Sequence, residues 1–533
     1  MVNLIQEEWI PVIRDDGTRV SIAPWQITED YKKNPVQWLD APRADFNGAV
    51  VQFLIGIVQT ALPPSNDREW FRRFASPPEP EELRERFTAY GHVFELDGDG
   101  PRFMQDFDLP EQKENLDISQ LLIEMPGEKT VKDNTDHFIK RGTVQKICQR
   151  CCAMALYTLQ TNAPGGGQGH RTSLRGGGPL TTVVMGRTLW ETIWLNVIPT
   201  GAFARYGNAD LEGDADIFPW LGPTRTSDSK ERTTPQDTHP AQMFWGMPRR
   251  IRIDQDNLAE GSCDLCGCAS THLVQTYQTK NHGVNYEGNW HHILTPYSET
   301  KKGELLSHKG QPGGISYRKW LGLIQNDSDS QSEPASVVHA FRYDRQPDLP
   351  DIPFRLWAFG YDMDNMKARC WYEGTMPLIK VDSSIRADYE AVTAQLIKTA
   401  SLVAESARKA IVKALFSEKA DVKGDVSVID NRFWKDTESE FYKVLYDLKG
   451  AMENGRETTD LKRGWLDAIR KEAEKLFDDY SQSALIGVAD PKRIAVARRE
   501  LRNFTSPAAT KIWKTLDLPK PPVRKKNTKS HAS

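Results

Sequence analysis

Cysteine is scarce in this chain, seven residues among 533 and an odd number, so the disulfide framework that staples small secreted domains is excluded. Long apolar runs are missing as well. The richest, residues 49–62 (AVVQFLIGIVQTAL), carries two Gln and is too short to span a bilayer; it reads as a buried core helix. Neither sign of charge dominates: 69 Lys plus Arg stand against 73 Asp plus Glu, a formal net charge of −4. That balance excludes a uniformly basic binder and leaves room for a local basic groove. With 39% hydrophobic residues, wholesale disorder is excluded too. The opening MVNLIQEEWIPV places acids where a signal peptide needs a basic region, so a cytoplasmic location is expected. No repeat of 20–50 residues is found, which argues against a solenoid or propeller.

Enzyme signatures are equally thin. HExxH, GxSxG and the kinase set are absent. Residues 164–178 (PGGGQGHRTSLRGGG) are rich in glycine, but His170 follows Gly169 where a P-loop requires Lys, so no triphosphate cradle is formed. His291, His292, Asp362 and Asp364 are conceivable metal ligands. They would support a metal-dependent hydrolase, a third reading behind the two given below.

What is present has a clear order along the chain. Residues 9–13 and 18–22 form β-prone runs around Asp15-Asp16-Gly17 and predict a hairpin. A helix is expected over 45–62. Between about 160 and 380, short apolar runs (181–185, 250–253, 337–341) alternate with long polar loops. Two of these loops, 222–242 and 326–334, look like surface insertions. Beyond about 382 the pattern is helical. Ser383 or Ser384 is placed to cap a helix to about 416, with Val392, Leu396, Val403, Ala407, Ile411 and Leu415 on one face. Further helices are expected over 431–448, 460–485 and, after Asp490-Pro491, to about 504. The expected fold class is therefore α+β: a large mixed α/β N-terminal domain over 1–380, then an all-α C-terminal four-helix bundle over 381–518. The basic, Pro-rich tail 519–533 is expected to be disordered.

Three constellations could carry chemistry. Cys148-Gln149-Arg150-Cys151 and Cys263-Asp264-Leu265-Cys266-Gly267 are two CxxC knuckles whose four thiolates could enclose a structural zinc ion. Alternatively, Cys148 and Cys151 are simply buried on a helix running into Ala153-Met154-Ala155-Leu156. The glycine segment, interleaved with Arg171 and Arg175, suits a backbone pressed against phosphates, or else an ordinary loop. Residues 129–141 (KTVKDNTDHFIKR) set basic side chains around Phe138, a composition suited to nucleic acid or to a solvated surface.

Taken in order, NLIQEEWIPV, HFIKRG, CQRC, APGGGQGHRTSLRGGGPLTT, CDLCG and the terminal helices resemble CasA, the family of large subunits of the type I-E CRISPR surveillance complex, Cascade. The resemblance spans nearly the whole chain. It implies a non-catalytic subunit with zinc, partnered by the crRNA-containing backbone, 5′-handle and small subunits, with no membrane role. Such a subunit reads the protospacer-adjacent motif (PAM) of double-stranded target DNA, begins R-loop formation for antiviral defence, and receives a helicase–nuclease. Sequence beyond the motif is left to base pairing with the guide. Phe138, Ile139 and Lys140 match a loop motif near the guide handle, with Lys where a relative has Asn. Gly165, Gly166, Gly167 and Gly169 match the glycine loop, interrupted by Gln168. Lys280 falls at the minor-groove lysine finger, with Asn281 competing for that place. Asp364, Asn365 and Met366 fall at a hairpin that wedges below the motif, Asn365 standing for the wedge Gln. The runner-up is a free-standing, zinc-containing RNA-binding protein.

Overall fold

The computed structural model describes residues 2–110, 112, 114–125, 142–166, 169–364, 367–416, 426–483 and 490–519. They form two compact units. One comprises 1–311, 322–346 and 352–378; the other comprises 312–321, 347–351 and 379–533. The switch near residue 380 is thus accompanied by two short excursions, which belong with the helices because of their anchors. Tyr317 stacks on Phe441 with ring centroids 4.2 Å apart, and its hydroxyl lies 2.7 Å from that of Thr437. Lys380 Nζ donates to the Leu349 carbonyl at 2.9 Å.

The larger unit is mixed α/β. β1 (Ile10–Arg14) and β2 (Arg19–Ile22) form the expected antiparallel hairpin, turning at Gly17 with φ +82, and β3 (Val36–Leu39) extends it. Helix α1 (Ala44–Ala61) follows, buried along almost its full length. Phe53 lies at its centre, edge-on to Trp9, Phe94 and Trp245 at 5.3–5.6 Å. The Gln residues that interrupt its apolar run are buried and satisfied. Gln59 exchanges hydrogen bonds with the Ile198 backbone, and Gln52 Oε1 accepts from Arg175. Among the described residues no helix is long and apolar enough to cross a membrane.

Among the described residues this unit has four more three-stranded sheets. β4 (Leu116–Asp117), β7 (Arg250–Ile253) and β10 (Thr276–Lys280) form one, with β10 central. β5 (Ile147–Cys148), β8 (Leu258–Ser262) and β9 (Ala269–Val274) form another, with β9 central. β6 (Thr181–Met185) pairs with β14 (Arg355–Asp364), which continues into the hairpin partner β15 (Lys367–Pro377). β11 (Tyr297–Glu299), β12 (Leu305–Ser307) and β13 (Ser332–Glu333) make the last. A long helix α2 (Gln149–Asn162) leaves β5 directly. The apolar run that begins at Val337 lies on a short helix, Ser336–Ala340, which buries Val337 and Val338. The segment 222–242 is not a free surface insertion. Thr233, Thr238 and Ser227 are buried, and Thr233 pairs by backbone with Asn285 and Glu287.

The second unit carries four long helices, α3 (Ser383–Leu415), α4 (Ser427–Glu453), α5 (Thr459–Ser483) and α6 (Pro491–Phe504), packed into a bundle around α3. Of the face anticipated for α3, Val392, Leu396, Val403, Ala407 and Ile411 are buried, while Leu415 in the last turn is half-buried. Its cap is Asp382 rather than Ser383 or Ser384: the carboxylate accepts from Ser384 N at 2.8 Å, one residue nearer the preceding turn. Asp490 caps α6 as its sequence demands, accepting from Lys492 N at 2.9 Å ahead of Pro491. Asp490→Ala should cost roughly 1 kcal/mol of unit stability, read as a lower denaturant midpoint at unchanged slope. The tail from Lys520 lies outside the described residues.

Candidate nucleic-acid interface and metal centre

Sheet order explains how two CxxC pairs more than a hundred residues apart meet. Cys148 ends β5 and Cys263 follows β8, both strands pairing with the central β9. Cys151 lies in the first turn of α2, and Gly267, with φ +74, turns the second knuckle so that its N–H donates to the Cys263 carbonyl. The Sγ atoms of Cys148, Cys151, Cys263 and Cys266 all lie within 4.8 Å of one another. Cys148 Sγ and Cys266 Sγ are 3.7 Å apart. A tetrahedral zinc with Zn–S bonds of about 2.3 Å requires S···S separations of about 3.8 Å, so the donor set fits a structural, four-thiolate metal. Three of the thiols are buried and Cys266 is exposed. A hydrogen bond from Cys151 holds the Cys266 thiol down to about 6, while hydrogen bonding with Cys148 and Cys263 pushes Cys151 up. The knuckle also organises its neighbours: Asp264 Oδ2 accepts from the N–H groups of Gln145 and Lys146 at 2.7 and 2.9 Å.

The glycine segment and the Lys280 region are brought together by backbone contacts. His282 N donates to the Gly169 carbonyl at 2.9 Å, and the His282 carbonyl accepts from Ser227 N at 3.2 Å. Arg171 Nε in turn donates to Ser227 Oγ at 2.9 Å. His282 adopts φ +65, a left-handed conformation uncommon outside Gly, which turns the chain sharply after β10. Lys280 at the end of that strand is exposed, whereas Asn281 is half-buried. His170 is pushed down to about 4 by burial and then by Arg249 and His282, so it is neutral at physiological pH. The glycine segment is therefore tied by backbone to the turn that follows exposed Lys280.

The glycines themselves are needed partly for internal packing. A Cβ on Gly166 would approach His170 to 2.5 Å, and one on Gly169 would approach His282 to 2.8 Å. Gly165, just before it, lies outside any helix or strand and is half-buried. Arg175 requires a correction. It was expected at phosphates, yet its side chain is buried and its guanidinium donates to Thr181, Thr295 and Gln52 at 2.8–3.1 Å. A guanidinium so engaged in the core is not presented to an external phosphate, so Arg175 organises the core.

At the hairpin, Asp364 pairs across to Lys367, and Arg369 binds Asp362 at 2.8 Å and Asp364 at 3.5 Å. Gly178, with φ +57, lets the chain pass the hairpin so closely that a Cβ would lie 2.7 Å from Met363. The hairpin tip residues Asn365 and Met366 lie outside the described residues, as do Gly167, Gln168 and the loop bearing Phe138, Ile139 and Lys140. His291, His292 and Asp364 do not converge. His292 is fully buried, with Nδ1 accepting from Leu294 N at 3.1 Å, while His291 contacts Ser336. Among the described residues the thiol cluster is the one group placed to hold a metal. The residues missed from sequence are Ser227 and His282, ordinary loop residues whose importance comes from contacts, not spacing.

A family model described as CRISPR-associated protein Cse1 matches residues 3–476. Similar solved structures include CasA from Thermus thermophilus, with TM-score 0.69 and 17% identity over 95% of this chain and 99% of that one. Thermobifida fusca Cse1 aligns with TM-score 0.71 and 16% identity, covering 97% and 98%. A chain of a CRISPR RNA-guided surveillance complex aligns with TM-score 0.67 and 15% identity, covering 95% and 99%. At such identities the structural likeness is one of fold.

Proposed function

This chain belongs to the Cse1 family of CRISPR-associated proteins, and from that premise we propose that it is the large subunit of a type I-E Cascade surveillance complex. In that role it reads the protospacer-adjacent motif in duplex DNA, starts R-loop formation and receives the helicase–nuclease, with no catalytic step of its own. The observation that supports this reading is the His282–Gly169 backbone bond, which joins the glycine segment to the chain two residues beyond exposed Lys280. A flexible ammonium there can enter the minor groove, whose acceptor pattern is degenerate, while nearby backbone approaches the phosphates. A structural zinc on Cys148, Cys151, Cys263 and Cys266 would pin β5 and β8 on β9, the strand that runs into β10 and so toward Lys280.

Reading and opening are separate tasks for separate residues. Lys280→Ala should weaken duplex binding by roughly 1–3 kcal/mol, the scale of a lost base contact. Asn365, which in sequence falls between β14 and β15, acts after binding by sitting between the parted DNA strands. Asn365→Ala should therefore slow R-loop formation on a fully paired target and spare one already melted beside the motif. Both rates are measured in the assembled complex. Equal slowing on both targets would make Asn365 a general contact and remove the wedge. Specific RNA binding by the isolated chain, with no dependence on partner subunits, would instead favour the free-standing RNA-binding protein.

A further inference from the structure

Arg175 and Lys309 are close neighbours in the larger unit, and no carboxylate contacts either among the described residues. The Arg175 guanidinium is bound by neutral groups alone, the amide oxygen of Gln52 and the hydroxyls of Thr181 and Thr295. Its carbonyl accepts from Lys309 Nζ at 3.0 Å and from Ser307 Oγ at 2.5 Å. Lys309 as a residue is half-buried rather than fully enclosed. Gly176, with φ +78, is what admits it: a Cβ there would lie 2.7 Å from Nζ. Burying charge without a counter-charge is unfavourable, and this pair has no internal anion to offset it.

The surroundings say where an anion would come from. Lys309 pairs as an isolated bridge with Pro179, and the next residue, Gly310, bridges Asp362 at the root of the β14–β15 hairpin. Asp362 is already held by Arg369 through two hydrogen bonds, at 2.8 and 3.0 Å, so it is not a counter-ion for Lys309. His308, the flanking residue, is turned to Ser298 at 2.8 Å. The ammonium therefore lies at the Gly176 turn on the Arg175 carbonyl, and the backbone one residue on, at Gly310, reaches the hairpin root.

We propose that Lys309 and the Gly176 turn form a phosphate-binding site, and that its occupant is a backbone phosphate of the nucleic acid handled at the hairpin. The nature of the occupant rests on the functional reading above; the anion site itself does not. Burial and then Arg175 hold the Lys309 ammonium down to about 8, and a bound phosphate reverses this by supplying the missing negative charge. The free site is thus charged below about pH 8 and loses its proton as pH rises through that value. Phosphate affinity at this site falls over the same range.

Two measurements test this. In the isolated chain, inorganic phosphate should raise the melting temperature of wild type at pH 7 more than at pH 9, and should not raise that of Lys309→Gln beyond the effect of equal ionic strength. In the assembled complex, Lys309→Gln should weaken target-DNA binding about tenfold at low salt and make the salt dependence shallower by about one phosphate contact. Lys309→Arg, charged throughout, should keep the wild-type salt slope and lose the decline in affinity between pH 7 and pH 9. Identical phosphate shifts in wild type and Lys309→Gln would overturn the site. A phosphate shift that depends on Lys309, with no Lys309 effect on DNA binding, would overturn the nucleic-acid occupant. If Lys280→Ala also leaves DNA binding unchanged in that complex, the functional reading fails separately from the anion site.

Discussion

Replacing Cys263 by Ser is expected to reduce bound zinc from one ion per chain to nearly none and to lower the melting temperature of the larger unit. The expected destabilisation is several kcal/mol, because the free energy of holding a structural metal is folding free energy. Cys263 closes the second knuckle through its carbonyl, accepts the Gly267 N–H there, and sits beside Asp264, which ties down Gln145 and Lys146. Without metal, the remaining thiols of Cys148, Cys151 and Cys266 and a strand junction lose their common partner. The unit should still fold, since the aromatic core around Phe53 is built mainly by Trp9, Phe94 and Trp245 and meets the cysteine-bearing helix α2 through Tyr157. Elemental analysis and thermal melts check both parts. A chelator should bring wild type to the melting temperature of the variant. Wild-type chain that carries no stoichiometric zinc, and melts identically with and without chelator, contradicts the assignment.

Gly283→Ala is expected to be the most disruptive small substitution in the candidate interface. A Cβ at this position would lie 1.9 Å from the Pro248 carbonyl oxygen, and backbone cannot swing aside as a side chain can. Overpacking usually costs roughly 1–3 kcal/mol, and a contact this short against backbone belongs at the upper end or beyond. The shift falls on the segment directly after His282, so the bond to the Gly169 carbonyl should be lost with it. DNA binding by the assembled complex should then fall at least as far as for Lys280→Ala, although Lys280 is intact. Gly222→Ala is the control: nothing lies within 4 Å of its added Cβ, and its stability should change by no more than about 0.5 kcal/mol. If the two glycine variants melt alike, the close approach at Gly283 is not a constraint.

Sequence alone determined the parts of this protein that local physics controls. The hairpin around Gly17, the core helix over 44–61, and the helix start at Asp490-Pro491 all follow from turn chemistry, apolar period and capping. It also supplied the two cysteine pairs, because thiol spacing is a local signature. Their convergence needed the third strand, β9, which places β5 and β8 on either side of itself. Arg175 shows the opposite limit. An Arg among glycines reads as a phosphate contact, but its destination depends on Gln52, Thr181 and Thr295, and two of those lie 120 or more residues away in sequence. The same holds for Lys309 and His282, whose neighbours come from other segments. Periodicity and spacing report what a chain does within a turn or a strand. Whether a cation faces solvent, a metal or the core is decided only when distant segments close around it.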